Sequence, residues 1–163
     1  MIEAFTGLPG AGKTYMMTKR ALKEMAKGRT VYANYPLKGA VRYRQFREIF
    51  EVENGLVLID EAGLIAPSAH WQKIPYGYLS KWRQHRKNGL DIWYTAQDLL
   101  DVATALRRVT QFVTEAERFG KWIFYRTYNP RTKVKYGWGI TRIRPRVYEA
   151  YDTYHAIEKP EFL

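Results

Sequence analysis

The chain has 163 residues, which is the size of one domain that can bury a substantial core without covalent staples. It has no cysteine and three scattered histidines, which excludes disulfides, thiolate metal sites and cysteine nucleophiles and disfavours a zinc site. Lys and Arg number 27 against 16 Asp and Glu, and this excess indicates an anionic partner such as nucleic acid, a nucleotide or an acidic membrane surface. The sequence shows no apolar run long enough to span a bilayer and no secretory signal.

The first two-thirds of the sequence alternate predicted strands with predicted helices. The predicted strands are residues 2–5, 30–35, 56–59, 91–94 and 109–113. The predicted helices are residues 13–28, 43–50, 76–88 and 98–108, with Asp98 near the start of the last one. This alternation predicts an α/β fold with a mostly parallel central sheet flanked by helices.

The final part of the chain has a different pattern. Residues 122–128 and 133–138 alternate apolar and polar side chains, and a turn-forming Asn-Pro-Arg-Thr segment separates them, so we predict a C-terminal β-hairpin. Residues 147–154 are predicted to add an edge strand. We therefore predict one domain over residues 1–163, with a core at 1–117 and a basic, β-rich extension at 118–163.

Residues 7–14, Gly-Leu-Pro-Gly-Ala-Gly-Lys-Thr, fit the phosphate-loop pattern G-x-x-x-x-G-K-[ST] without a gap. They lie between a predicted strand and a predicted helix, where the curled backbone and the helix N-terminus direct N–H groups at phosphate oxygens. The Lys13 ammonium is expected to reach the β- and γ-phosphates, and the Thr14 hydroxyl to ligate Mg²⁺. The predicted ATP contacts are Gly7, Pro9, Gly10, Ala11, Gly12, Lys13, Thr14 and Tyr15.

Two further positions follow predicted buried strands. Asp60 and Glu61 end the aliphatic run 56–59, and we predict that Asp60 holds the Mg²⁺ shell while Glu61 is the general base for an attacking water. Gln97 ends the next strand and is predicted to sense the γ-phosphate or to hold that water. The alternative interpretation is that these residues only begin polar turns.

Four arginines are candidates for an arginine finger that stabilises charge on the γ-phosphoryl group. Arg107 and Arg108 end one predicted helix, and Arg83 and Arg86 are three residues apart on another. A finger of this kind would act on the neighbouring subunit of a homo-oligomeric ring. The alternative is a solvated basic helix face.

Residues 118–146 contain nine Lys or Arg and no Asp or Glu. Cations interleaved with aromatic rings are typical of surfaces that bind single-stranded nucleic acid. The candidate contacts are Arg126, Arg131, Lys133 and Lys135. For Trp122, Phe124, Tyr136 and Trp138 we favour the other interpretation, in which the rings pack the hairpin onto the core.

Taken in order along the chain, these segments resemble the zonula occludens toxin-like (Zot) ATPases of filamentous phages. The resemblance is carried by residues 7–14, by 28–35 with Asn34, by 58–62, by 83–92 with 95–97, and by 148–153. It implies an FtsK/HerA-like P-loop fold in which the Gln97 strand lies between the phosphate-loop strand and the Asp60 strand. It also implies ATP hydrolysis that drives virion assembly and extrusion or the transport of phage DNA.

The resemblance implies partners and a location as well. Phage DNA or phage assembly and coat proteins are the expected partners, in the host cytoplasm or at the cytoplasmic face of the inner membrane. Members of the family usually continue into a transmembrane helix and a periplasmic part, so we expect either the ATPase domain of a longer chain, with peripheral membrane contact through its C-terminal part, or a soluble packaging variant.

Two other functions are compatible with a phosphate loop. One is a small-molecule kinase, against which the adjacent acids Asp60 and Glu61 argue because they indicate hydrolysis by water. The other is a nucleic-acid-binding or assembly module that binds nucleotide without hydrolysing it, against which the full set Lys13, Thr14, Asp60 and Glu61 argues.

Overall fold

The computed structural model describes residues 1–151, apart from the side chain of Trp71, and organises them around one sheet of eight strands. The strands are β1 (Ile2–Thr6), β2 (Val31–Ala33), β3 (Val41–Arg42), β4 (Gly55–Ile59), β5 (Leu90–Ala96), β6 (Phe112–Phe119), β7 (Trp122–Tyr128) and β8 (Lys135–Arg142). The helices are α1 (Lys13–Ala26), α2 (Ala62–Ile65), α3 (Tyr76–Gln84), α4 (Thr104–Val109) and α5 (Pro145–Tyr148).

The strand order is β3-β2-β4-β5-β1-β6-β7-β8. Strands β1 to β6 pair in parallel, and β7 and β8 then add antiparallel to β6. The prediction of a mostly parallel α/β sheet with a C-terminal hairpin is confirmed. The prediction that the Gln97 strand lies between the phosphate-loop strand and the Asp60 strand is also confirmed, because β5 separates β1 from β4.

Helices bury both faces of the sheet. On one face α1 packs Met16 and Met17 against Phe5 and Leu58. On the other face the side chains of α3 and α4, among them Trp82 and Leu106, pack against the same strands. All five residues of β4 are buried, which agrees with the continuous aliphatic run that the sequence shows there.

The predicted helix over residues 98–108 is wrong in its first half. Asp98 caps a short 3₁₀ turn, Leu99–Asp101, by accepting from the Leu100 N–H at 2.8 Å, and α4 begins only at Thr104. The intervening Val102 and Ala103 are buried and extended, and the Ala103 N–H donates to the Ala66 carbonyl at 2.8 Å. Burial of these two apolar residues against the segment after α2 interrupts the helix.

Other predicted boundaries also shift. Helix α3 ends at Gln84, and a turn leads from there to Gly89. Residues 43–50 contain only a 3₁₀ turn, Phe46–Ile49, which follows the short β3. The strand predicted at 109–113 is β6, which starts at Phe112 and runs to Phe119. Strand β6 therefore crosses the predicted boundary between residues 117 and 118, and the extension continues the sheet of the core.

The edge strand predicted at 147–154 is wrong where the structure describes it. Residues Pro145–Tyr148 form α5, whose first position is the proline that helix starts favour. Only Tyr151 makes a bridge, to Leu37, and residues 152–154 lie outside the described residues.

The two faces of the hairpin have opposite environments. Ile123 is fully buried and packs against Gly12 at the start of α1. The side chains of Trp122, Phe124 and Trp138 point to the other face and are 48%, 42% and 80% exposed. Tyr136 lies at a register shift of the hairpin and is 57% exposed, but its ring centroid is 5.0 Å from that of Phe112 on β6. The prediction that these rings pack the hairpin onto the core is wrong for Trp122, Phe124 and Trp138, because the strand alternation assigns that task to the opposite set of side chains, whereas Tyr136 does contact a core strand.

Among the described residues, none of the helices combines the length and the apolar character that crossing a membrane requires.

The burial of Ile123 predicts that β7 is anchored beneath the loop before α1. Ile123→Ala should lower the free energy of unfolding by ~2–5 kcal/mol, because it removes buried methyl groups and leaves a cavity. Ile140→Ala is the matched control, since Ile140 is on the neighbouring strand and is 48% exposed. Denaturant unfolding followed by circular dichroism would measure both, and equal losses would contradict this account of the packing.

Candidate functional site

The loop between β1 and α1 depends on glycine at three positions. Gly7, Gly10 and Gly12 have φ of 142°, 78° and 90°, values that residues with a side chain rarely adopt. A Cβ on Gly7 would also lie 2.4 Å from the Ala116 carbonyl oxygen on β6. The loop therefore folds tightly against β6, and its conformation leads directly into the N-terminus of α1, where N–H groups are free to bind an anion.

Lys13 begins α1 and turns back over the loop. Its Nζ donates to the Gly7 carbonyl at 2.8 Å and to the Leu8 carbonyl at 3.0 Å. Partial burial lowers the pKa of Lys13, and the nearby charges of Asp60 and Glu61 oppose that shift. The ammonium is thus held over the loop that the sequence assigned to phosphates, within the field of both predicted acids.

Of the other predicted loop contacts, Pro9 and Gly10 are exposed, whereas Ala11 and Tyr15 are buried. The Tyr15 ring packs against Tyr148 at 5.2 Å between centroids, and its hydroxyl accepts from the Arg144 N–H at 2.8 Å. Tyr15 therefore fastens α1 to the segment between β8 and α5, and its side chain serves packing rather than the loop surface.

Asp60 is the centre of a hydrogen-bond network at the carboxyl ends of the strands. Its Oδ1 accepts from the Thr14 hydroxyl at 2.8 Å and from the Thr95 hydroxyl at 2.6 Å. Burial raises the pKa of Asp60, and the hydrogen bonds from these two hydroxyls act in the opposite direction. The predicted pair Thr14 and Asp60 is therefore in direct contact, and a hydroxyl beside a carboxylate is the oxygen donor set that Mg²⁺ prefers.

Two further side chains hold Asp60 and Glu61 in place. The Asn34 amide donates to the Asp60 carbonyl at 3.0 Å and accepts from the Asp60 N–H at 2.7 Å. The Thr95 hydroxyl accepts from the Glu61 N–H at 2.8 Å. Glu61 has a left-handed φ of 53° and an exposed side chain. Partial desolvation of its carboxylate, and then the charge of Asp60, raise the pKa of Glu61.

Thr95 was not predicted to have a role, and Asn34 was named only as one of the residues that carry the family resemblance. The signal for Thr95 was a hydroxyl residue two positions before the end-of-strand Gln97, where β5 and β4 run side by side. Gln97 itself follows β5 and is exposed, and its carbonyl accepts from the Gly7 N–H at 3.3 Å. Gln97 is thus next to the loop, and its role toward the γ-phosphate or the attacking water stays a prediction.

A cavity of about 1010 Å³ opens beside the loop on the side of the hairpin. Its walls include loop residues, strand ends and hairpin side chains, among them Gly7, Pro9, Gln97, Glu115, Arg126 and Trp138. Part of this lining is apolar and part is charged, which is typical of a ligand site.

The four candidate finger arginines lie away from the loop. Arg83 and Arg86 precede the start of β5, and Arg107 and Arg108 precede the start of β6, so all four are at the amino-end edge of the sheet. The loop is at the carboxyl-end edge, since it follows β1. Arg86 lies two residues beyond the end of α3, in the turn that leads to Gly89.

The candidate nucleic-acid residues separate into two places. The Arg131 guanidinium donates to the Arg108 carbonyl, and Lys133 lies 5.9 Å from the Tyr128 ring, so with the exposed Lys135 they surround the hairpin turn at the amino-end edge. Arg126 instead lines the cavity beside the loop and pairs with Glu115.

Within residues 1–151, no group of three or more His, Asp or Glu side chains is arranged to hold a metal ion. Thr14 and Asp60 place two oxygens side by side, and a Mg²⁺ bound there would complete its shell with water and nucleotide phosphate oxygens.

The chain has the fold of P-loop NTPases. In this fold a glycine-rich loop joins a central strand to a helix, and the loop faces an aspartate at the end of a nearby parallel strand. The sequence profile of the Zonular occludens toxin (Zot) family matches residues 38–155. The chain therefore belongs to the Zot family, as the sequence resemblance implied. The phosphate loop itself precedes the matched segment.

Solved structures share this fold at low sequence identity. The N-terminal domain of zonular occludens toxin from Neisseria meningitidis is 20% identical with a TM-score of 0.70, over 93% of this chain and 98% of that chain. The genome packaging NTPase B204 from Sulfolobus turreted icosahedral virus 2, in complex with ATP-gammaS, is 11% identical with a TM-score of 0.65, over 88% and 97%. The DNA-packaging ATPase B204 from Sulfolobus turreted icosahedral virus is 10% identical with a TM-score of 0.59, also over 88% and 97%. No curated protein matches the sequence.

The contacts of Thr95 predict that its hydroxyl supports the acidic pair. Thr95→Val keeps the shape but removes the donor to Asp60 and the acceptor for the Glu61 N–H, so the free energy of unfolding should fall by about 1–3 kcal/mol. Thr95→Ser retains the hydroxyl and should lose much less. Chemical denaturation of the two variants checks this, and a Val variant as stable as the Ser variant would show that the network contributes nothing.

Proposed function

We propose that the chain is a P-loop ATPase that hydrolyses ATP with Mg²⁺ to drive phage virion assembly and extrusion or the movement of viral DNA. The observation that carries this proposal is the contact of Thr14 with Asp60 at 2.8 Å, directly beside Lys13 and Glu61. It joins the phosphate loop to an acidic pair at the strand ends, as nucleotide hydrolysis requires.

Each residue of the site has a distinct task in this proposal. The loop N–H groups and the Lys13 ammonium bind the phosphates, and Lys13 exchanges its contacts with two loop carbonyls for phosphate oxygens. Thr14 and Asp60 would hold Mg²⁺, which neutralises phosphate charge when it is bound. Glu61 orients and deprotonates the attacking water, and its raised pKa makes it a better proton acceptor than an ordinary carboxylate. Gln97 contacts the water or the terminal phosphate.

The comparisons support this proposal in two respects. The structure of the packaging NTPase B204 was determined with ATP-gammaS and with AMPPCP, which favours a nucleotide at the corresponding loop of this chain. Membership of the Zot family favours a role in phage particle assembly or DNA movement, in the host cytoplasm or at the cytoplasmic face of the inner membrane, with phage DNA or coat proteins as partners.

A small-molecule kinase is a second candidate because the cavity beside the loop has room for an acceptor substrate. The acidic pair favours water as the acceptor instead. Release of free phosphate in the absence of any other acceptor distinguishes the two functions.

Phosphate release by the full chain with ATP and Mg²⁺ tests the proposed function, in the absence and presence of single- and double-stranded DNA. Lys13→Ala should abolish nucleotide binding and hydrolysis without unfolding the chain. Glu61→Gln keeps the volume but cannot accept the proton, so turnover should drop by at least ~10² with little change in ATP affinity. Wild-type turnover in both variants would contradict the proposal, and tight ATP binding without any wild-type turnover would indicate a non-hydrolysing module.

We further propose that the active form is a homo-oligomeric ring. The four arginines at the amino-end edge cannot reach the loop of their own chain, so a finger from this set has to act on a neighbour in a head-to-tail assembly. The charges around the hairpin turn, Arg131, Lys133 and Lys135, share that edge and are the proposed contacts for nucleic acid.

Mixing two inactive variants tests the ring. Lys13→Ala has no working site but keeps its arginines, and Arg108→Ala keeps its site, so the mixture should recover part of the activity. The specific rate of the wild-type chain should also rise with protein concentration, since an absent finger costs roughly 10³-fold in rate. Repeating the mixture with Arg107→Ala, Arg83→Ala and Arg86→Ala identifies the finger. A constant specific activity and no complementation by any of the four would rule out this assembly.

A further inference from the structure

Strand register brings Arg126 to the level of the phosphate loop. Glu115 on β6 lies beside Thr6, the last residue of β1 before the loop, and Arg126 on β7 lies opposite Glu115. Two strand spacings separate Arg126 from Thr6, on the order of 10 Å between backbones. An arginine side chain from this position can extend to a ligand bound at the loop.

The Arg126 side chain is held by one of its nitrogens only. Its Nε donates to Glu115 Oε2 at 2.5 Å, and the Tyr128 hydroxyl donates to Glu115 Oε1 at 2.8 Å. Both carboxylate oxygens are therefore engaged, which fixes the direction of the arginine. Within residues 1–151, no hydrogen bond is formed by the two terminal nitrogens of Arg126, and its side chain is 72% exposed.

The free end of Arg126 borders the same space as the loop. Arg126, the loop residues Gly7 to Ala11 and Gln97 all line the cavity of about 1010 Å³. Gln97 directly follows β5, the strand between β1 and the Asp60 strand, and its predicted partner is the γ-phosphate or the attacking water. The cavity wall does not include Lys13, Thr14, Asp60 or Glu61, so Gln97 is the residue that connects the cavity with the expected position of the terminal phosphate.

The surroundings of Arg126 favour a nucleotide over a nucleic-acid strand. Three acids, Asp98, Glu115 and Glu117, line the same cavity as Arg118 and Arg126, so its wall lacks the continuous row of cations that a nucleic-acid strand requires. The other candidate nucleic-acid residues lie at the opposite edge of the sheet, around the hairpin turn. Of the two guanidiniums in the cavity wall, Arg118 and Arg126, the second is oriented by a carboxylate and lies at the level of the loop, which suits a single compact anion.

We propose that Arg126 binds the terminal phosphate of the nucleotide held by the phosphate loop of its own chain. Glu115 and Tyr128 are its positioning residues. A guanidinium whose Nε is held by a carboxylate presents its two terminal N–H₂ groups as a planar fork, which suits phosphate oxygens. Because Glu115 already orders the side chain, binding loses less conformational entropy. This inference rests on the proposed function and adds a cationic residue to its site.

Equilibrium binding of a non-hydrolysable ATP analogue and of ADP to the full chain, both with Mg²⁺, tests this role. Arg126→Gln should weaken binding of the analogue by about 10-fold or more and leave ADP affinity nearly unchanged, because ADP lacks the contacted phosphate. Arg142→Gln, an exposed arginine on β8 of the same hairpin that does not line the cavity, is the matched control and should change neither affinity. Glu115→Gln and Tyr128→Phe should lower the ratio of analogue to ADP affinity by a smaller factor, since they free the arginine without removing it.

Each outcome separates this inference from the proposed function. If the wild-type chain binds both nucleotides and Arg126→Gln leaves the affinity ratio unchanged, the inference is overturned and the proposed function stands. If Arg126→Gln instead loses affinity only for single-stranded DNA, Arg126 is a nucleic-acid contact and the inference is again overturned. A wild-type chain that binds neither nucleotide overturns both. Thermal unfolding confirms that the variants are folded, and Arg126→Lys, which keeps the charge but loses the fork, should recover only part of the discrimination.

Discussion

A partly buried carboxylate that needs compensation organises this end of the molecule. Asp60 loses much of its contact with water at the end of β4, and its charge would be unfavourable there without hydrogen-bond donors. Hydroxyl donors reach it from two directions, Thr14 on α1 and Thr95 on β5, and Asn34 after β2 fixes its backbone. One side chain therefore draws a helix and two neighbouring strands to a common point, and the glycine loop that enters α1 is positioned by the same contacts.

The elements closest to this point were also the ones most predictable from sequence. The phosphate loop is recognised by its ungapped glycine spacing, and the fully buried β4 by its continuous aliphatic run. Both signals are local and depend little on tertiary context. The placement of β5 between β1 and β4 came from family resemblance, because no local pattern encodes strand order. Thr95 was missed for a related reason: its partners Asp60 and Glu61 are distant in sequence and meet it only through strand pairing.

Predictions failed where tertiary contacts override local preference. The stretch around Val102 and Ala103 is compatible with a helix, but both residues are buried by the segment after α2 and the chain stays extended. Three of the four hairpin rings, those of Trp122, Phe124 and Trp138, were misassigned because alternation alone shows two faces without showing which one meets α1. Ile123, a single aliphatic residue in an aromatic strand, is the one that packs beneath the loop, and Trp138 stays 80% exposed. The basic segment likewise looked uniform in sequence, yet folding divides it between the two ends of the sheet.

The close fit of the loop against the hairpin strands has a mechanical consequence. Gly7 has no room for a side chain beside the Ala116 carbonyl, and Gly12 has none beside Ile123. Through these two contacts the loop packs directly on β6 and β7. Because β6, β7 and β8 are joined by continuous backbone hydrogen bonds, a displacement of the exposed end of the hairpin is expected to move the phosphate-binding backbone as well.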